Sequence, residues 1–92
     1  AVKTSVFQFR ELGKAQAMSE LPGMFKIVSD GATGKVLGVH IAGAHATDLI
    51  AEAGLALRLG ASVRDIAATI HAHPTLAEGL YEAALSLVEA GG

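Results

Sequence analysis

MFKIVSDGATGKVLGVHIA, residues 24–42, reads as two strands joined by a short glycine-punctuated link. Met24 to Asp30 and Lys35 to Ala42 are the strands, and Asp30-Gly31-Ala32-Thr33-Gly34 is the turn of a hairpin. In the second strand Leu37, Val39 and Ile41 alternate with Val36, Gly38 and His40. That two-residue period predicts a better-buried face carrying Leu37, Val39 and Ile41, with His40 on the opposite, polar face. Upstream, Ser5 to Arg10 reads as a short strand with Phe7 and Phe9 on one face. Glu11 to Glu20 is mixed, with a helical turn around Lys14–Met18 that Pro22-Gly23 ends.

After Gly43 the period lengthens. Ala46 to Leu59 carries Leu49, Ile50, Ala53, Ala56 and Leu57 on one side, a helical stripe. Leu55 and Leu59 lie off it, and Asp48, Glu52 and Arg58 supply nearly all the polarity, so the helix is expected to be buried on most sides. His45 stands at its cap and Gly60 at its stop. Ser62-Val63-Arg64-Asp65 is a capping box that opens a short helix through Thr69, and Thr75-Leu76-Ala77-Glu78 is another. The helix after the second box shows Leu76, Leu80, Ala83, Ala84 and Leu87 on an apolar face and Glu78, Glu82, Ser86 and Glu89 on a polar one, with Gly91-Gly92 expected to fray. Strands first and helices second, with no internal repeat or dividing linker, predict one α+β domain over residues 1–92, an antiparallel sheet with helices packed on it.

The chain is 51% hydrophobic and 17% charged. Either some apolar surface awaits a partner, or the domain is simply rich in alanine. A net charge of −2 with scattered Lys and Arg argues against nucleic acid as a partner. With no cysteine, the chain has no disulfide, thiolate metal site or thiol catalysis. No apolar run approaches a membrane span and no signal segment opens the chain, so the expectation is a cytoplasmic protein that does not enter the membrane. Walker loops, dinucleotide fingerprints and Ser–His–Asp sets are missing, and Gly31, Gly34, Gly38 and Gly43 read as turn and packing glycines.

The chemistry concentrates in His71-Ala72-His73-Pro74-Thr75-Leu76-Ala77-Glu78, where two imidazoles, a proline and a carboxylate meet at a helix start. Histidine exchanges protons near neutral pH, and a carboxylate within reach orients the ring and stabilises its cation. His73 and Glu78 are that candidate pair. Pro74 restricts His73 to extended backbone and permits a cis bond. Two plainer readings stand beside this one: Glu78 caps its helix, and the histidines are an exposed or hydrogen-bonded loop pair. A third is a metal site, because His-x-His with a Glu five residues on matches part of the ligand set of the metal-binding β-barrels called cupins. That match stops early. Residues from Thr75 on are helical, Asp65 and Leu85 stand where glycines belong, and the second cupin motif is missing, so no metal ligand is assigned.

In its order and flanks the octapeptide resembles the active-site signature of the dihydrolipoamide dehydrogenases, within the pyridine nucleotide-disulfide oxidoreductases. The strands around Met24–Val28 and Gly34–Ile41 look like the hairpin of that family's interface domain. Leu49–Ala53, Ser62–Ala67 and Glu82-Ala83-Ala84 look like its helices. The doubled histidine and the Leu76 context favour dihydrolipoamide dehydrogenase over glutathione or mercuric reductase. The resemblance implies a dimerisation domain in which His73 is the acid–base residue and Glu78 its orienting carboxylate. It implies that the His73-Pro74 backbone lies against the flavin of the other subunit. It also implies FAD and NAD in the parent protein, a homodimer, and a lipoyl-bearing acyltransferase as partner.

Several family features are missing from this sequence: the FAD glycine motif, the redox cysteine pair, the NAD domain, and a strand and helical segment that precede the stretch resembling Val2–Arg10. The isolated chain is therefore expected to hold no cofactor and not to catalyse, with a sheet edge left unpaired. The alternative is a stand-alone dimerisation or binding module that kept the fold without the redox chemistry.

Overall fold

The computed structural model describes residues 1–19 and 22–91. Three strands form one antiparallel sheet in the order β1-β2-β3: β1 (Val2–Gln8), β2 (Gly23–Asp30) and β3 (Val36–Gly43). A 3-10 turn (Phe9–Glu11) and α1 (Gly13–Met18) follow β1, and α2 (Ala46–Arg58), α3 (Val63–Ala68) and α4 (Glu78–Gly91) follow β3. The α+β expectation holds. Glu20, Leu21 and the final Gly92 lie outside the described residues.

The hairpin turn forms where expected, held by its first residue. The Asp30 carboxylate accepts from the N–H groups of Ala32 (2.7 Å) and Thr33 (3.3 Å), and the Gly34 N–H reaches the Asp30 carbonyl at 2.8 Å. Those two N–H bonds, Ala32 first, hold the Asp30 carboxyl below its ordinary range. Gly34 has φ +77°, open to glycine at no steric cost.

The buried face of β3 is the expected one at Val39 and Ile41 but not at the start of the strand. Val36 is buried while Leu37 is 48% exposed. Pairing runs Ile27↔Val39 and Val28↔Gly38, then shifts so that Ser29 faces Val36. Leu37 is the extra residue of this β-bulge, and the phase of side chains flips across it. Val36, Val39 and Ile41 therefore join Phe25, Ile27 and Ser29 on the inner face, and His40, opposite Lys26, stays on the outer one as anticipated.

β1 starts earlier and ends earlier than Ser5–Arg10. Its pairing stops at Gln8↔Met24, and Phe9 leaves the ladder in the 3-10 turn. Phe9 is nonetheless fully buried and stacks on Phe25 with ring centroids 5.0 Å apart.

Helices cover the inner face. α4 packs across β1 and β2 and beside α3, while α2 lies on β3. The Ser5 hydroxyl donates to the Ala83 carbonyl at 2.7 Å, tying sheet to helix. Leu76, Leu80, Ala83, Ala84 and Leu87 are all buried, as their spacing predicts. The approach is closest at Gly79, where an added Cβ would lie 2.0 Å from the Phe25 ring. Gly79→Ala gains about 1 kcal/mol of helix propensity but overpacks a core with no room to yield, at about 1–3 kcal/mol. Net destabilisation is the expected result in chemical denaturation, and a stabilised variant would contradict this packing.

α2 departs from expectation. Ala53 and Ala56 alone are buried, whereas Ile50, Leu55, Leu57 and Leu59 are 39%, 61%, 41% and 73% exposed. A helix that is apolar all round reads as buried on all sides, yet within this chain only one side of α2 has a neighbour. α3 opens on the Ser62–Asp65 capping box foreseen for it, with both reciprocal bonds present, and ends one residue before Thr69.

A candidate acid–base site at the start of the last helix

The loop 69–77 crosses from the end of α3 to the first turn of α4 and carries both histidines. α4 begins at Glu78, later than the Thr75 box predicts, because that box is only half made. The Thr75 hydroxyl donates back to the Ala72 carbonyl at 2.6 Å instead of accepting from the helix. The other half is present: the Glu78 carboxylate accepts from the Thr75 N–H at 2.9 Å.

The same carboxylate meets His73. Nδ1 of the ring lies 3.0 Å from Oε1 and 2.9 Å from Oε2 of Glu78. Capping and imidazole contact are therefore compatible roles for one group. The Glu78 carboxyl is held below its ordinary range, first by the Thr75 N–H, against some desolvation, and then by the His73 bond and the positive charge of His73 and His71. The His73 side chain is 77% exposed and that of Glu78 is 20% exposed. An Nδ1–H donated to the carboxylate fixes the neutral tautomer and leaves the Nε2 lone pair facing outward as a base.

A carboxyl with a depressed folded value contributes stability above its unfolded value, and that contribution disappears as pH falls through the folded value. The side-chain carbon of Glu78 should accordingly titrate below the ordinary Glu value of about 4.3. Its protonation should release Thr75 and His73 together. A midpoint at or above the ordinary value would contradict the double contact.

Pro74 follows a cis peptide bond from His73, and both residues are exposed. Among the described residues no backbone group of this chain pairs with the His73 N–H.

His71 has a different setting. Its side chain is only 6% exposed, with Nδ1 2.8 Å from the Thr69 carbonyl and Nε2 2.6 Å from Oε2 of Glu52 on α2. Its ring lies 5.7 Å from that of Tyr81 on α4. The sequence reading did not assign Glu52 this role. The available signal was its place as one of few polar residues on an apolar helix. The His-x-His…Glu triplet does not converge, because His71 turns to Glu52 and His73 to Glu78. His45 sits at the α2 N-cap with φ +60° but makes no side-chain cap bond, its Nδ1 lying 3.5 Å from Asp48.

The family model described as "Pyridine nucleotide-disulphide oxidoreductase, dimerisation domain" matches residues 1–84. The dihydrolipoyl dehydrogenase of Thermus scotoductus is 49% identical over 86 residues, covering 94% of this chain and 19% of that protein. That of Bacillus subtilis is 49% identical over 85 residues, covering 92% of this chain and 18% of that protein. The crystal structure of LpdA from Mycobacterium tuberculosis matches with a TM-score of 0.91 at 28% identity, over 95% of this chain and 19% of that one. The chain spans about a fifth of the length of these relatives. Sequence and fold agree over nearly the whole chain: it belongs to the dimerisation-domain family of the pyridine nucleotide-disulphide oxidoreductases.

Proposed function

We propose that this domain serves a flavin-dependent dihydrolipoamide dehydrogenase, presenting His73 and Glu78 as an acid–base pair to the disulfide and flavin site of the partner subunit. The observation that carries the reading is the doubly bonded Glu78 carboxylate, which holds Nδ1 of a largely exposed His73 at 2.9–3.0 Å. Nearly half of the residues shared with curated dihydrolipoyl dehydrogenases are identical, which supports the substrate class.

The chain's own step is proton transfer. Nε2 of His73 takes the proton of a substrate thiol, making the thiolate that attacks a disulfide. The imidazolium that results keeps its Nδ1–H on Glu78, so the new charge is met by a carboxylate already in place. The proton then returns from Nε2 to a departing thiolate. Closing the substrate dithiol reduces the attacked disulfide, and FAD and NAD, if bound in the parent protein, would supply the acceptor chemistry that reoxidises it. His73 and Pro74 are the residues that would lie against that flavin, through their exposed backbone.

The test is NAD-linked oxidation of dihydrolipoamide by the flavoprotein that carries this domain, with glutathione as the competing substrate. Turnover of dihydrolipoamide with none of glutathione is expected, and the reverse preference would refute the assignment. The 92-residue chain alone should be colourless and inactive. A yellow protein purified without added flavin would overturn the reading of it as a contributing part.

A subunit partner follows from the same reading, and the open apolar side of α2 is the surface proposed for it. Leu55, 61% exposed, is the position to probe. Leu55→Glu would leave a charge facing an apolar contact and should shift sedimentation toward monomer. Unchanged association at the same concentration would place the contact elsewhere.

A further inference from the structure

His71 is a titratable group with a 6% exposed side chain that the proton-transfer step does not use. An imidazole with one N–H satisfies one acceptor, yet both ring nitrogens face acceptors here: the Thr69 carbonyl at 2.8 Å and the Glu52 carboxylate at 2.6 Å. Both bonds are made at once when a proton lies between Nε2 and Glu52 while Nδ1–H donates to the Thr69 carbonyl, which ties the ring at both ends. That pair joins the middle of α2 to the loop that carries the site, 19 residues on.

The connection runs directly to His73. A single residue separates the two histidines, and the carbonyl of that Ala72 is the acceptor of the Thr75 hydroxyl. Thr75 in turn donates its N–H to Glu78. The path from Glu52 through His71, Ala72 and Thr75 therefore ends on the carboxylate that orients His73. Tyr81, one turn into α4, lies against the His71 ring, with centroids 5.7 Å apart. The His71 side chain is only 6% exposed and that of Glu52 31%, so the bond is partly shielded from water, where a surface pair would be weak. The His71 charge also adds to the field that keeps Glu78 ionised.

We propose that Glu52 and His71 are positioning residues for His73: they clamp the 69–75 loop to α2 and so hold the His73 imidazole on Glu78. The inference rests on the acid–base reading of His73, which it deepens by naming what sets the ring's direction. His71 touches no reacting atom in this scheme. It acts through the loop.

The test reads the His73 ring itself. The chain has four histidines, so their ring nitrogens are assignable by long-range ¹H–¹⁵N spectra of the 92-residue chain. In the neutral form of His73 the parent chain should show the Nδ1–H tautomer. Glu78→Gln supplies the spectrum of a ring released from its carboxylate. Glu52→Ala and His71→Gln should each move His73 toward that released spectrum, and Glu52→Gln, which keeps an acceptor oxygen, should move it less. A merely structural role would lower the unfolding temperature and leave the His73 shifts unchanged, and that result in either folded variant overturns the proposal. Should Glu52→Ala fail to fold, Glu52→Gln is read by the same criterion. None of these spectra depends on flavin, nicotinamide or turnover, so failure of the dehydrogenase reading would leave their outcome standing.

Discussion

His73→Gln in the flavoprotein carrying this domain is expected to cut dihydrolipoamide oxidation by about 10²–10⁴-fold, the usual share of a general acid–base residue. That is roughly 3–5 kcal/mol added to the barrier. The loss should be chemical rather than structural. The His73 side chain is 77% exposed, so little packing goes with it, and glutamine can still donate to Glu78. Thermal unfolding should stay within a degree or two of the parent, since surface changes away from special features cost about 0.5 kcal/mol or less. Steady-state kinetics beside a melting curve make the comparison. Full activity in His73→Gln would remove the proposed chemistry from this chain.

Phe25→Ala should be the most damaging change to the fold. Phe25 is fully buried, stacks on Phe9 at 5.0 Å, and fills the space directly beneath Gly79. Truncating a core phenylalanine costs about 3–5 kcal/mol, the lost transfer energy plus the cavity left behind. A domain of this size holds about 5–15 kcal/mol in all, so the change consumes a large share. The damage also reaches the site, because Gly79 is the neighbour of Glu78 and the first turn of α4 rests on this ring. Equilibrium denaturation of the 92-residue chain measures the effect. A loss below about 1 kcal/mol would mean that the α4–β2 contact is not the tight one described.

What the sequence made legible were features set by near neighbours. The Asp30–Gly34 turn, the Ser62–Asp65 box and the apolar face of α4 each depend on residues within a turn or two, and each formed. The His73–Glu78 contact was legible for the same reason: five residues across a helix start bring the two together. The misreadings lie where distant segments decide. Unbroken alternation puts Leu37 on the inner face, whereas the bulge against Val28 and Ser29 is a property of the paired strand. α2 was read as enclosed because a pattern of leucines records a preference for burial, not the presence of a neighbour to bury against. Glu52 and His71 meet across a bend in the chain that no local period encodes. Gly79 passed unnoticed for a related reason, since only the Phe25 ring, more than fifty residues earlier, forbids a side chain there.

A Glu78 that acts on His73 is distinguished from one that only caps its helix by Glu78→Gln. Glutamine keeps the shape and an oxygen for the Thr75 N–H but cannot offer a charge to the imidazolium. The decisive measurement is the pH profile of dihydrolipoamide oxidation by Glu78→Gln in the flavoprotein, taken with its unfolding temperature. Lowered turnover and a displaced profile are expected, with stability nearly kept. Reduced stability with turnover and profile intact would contradict an action on His73 and leave Glu78 as a cap alone.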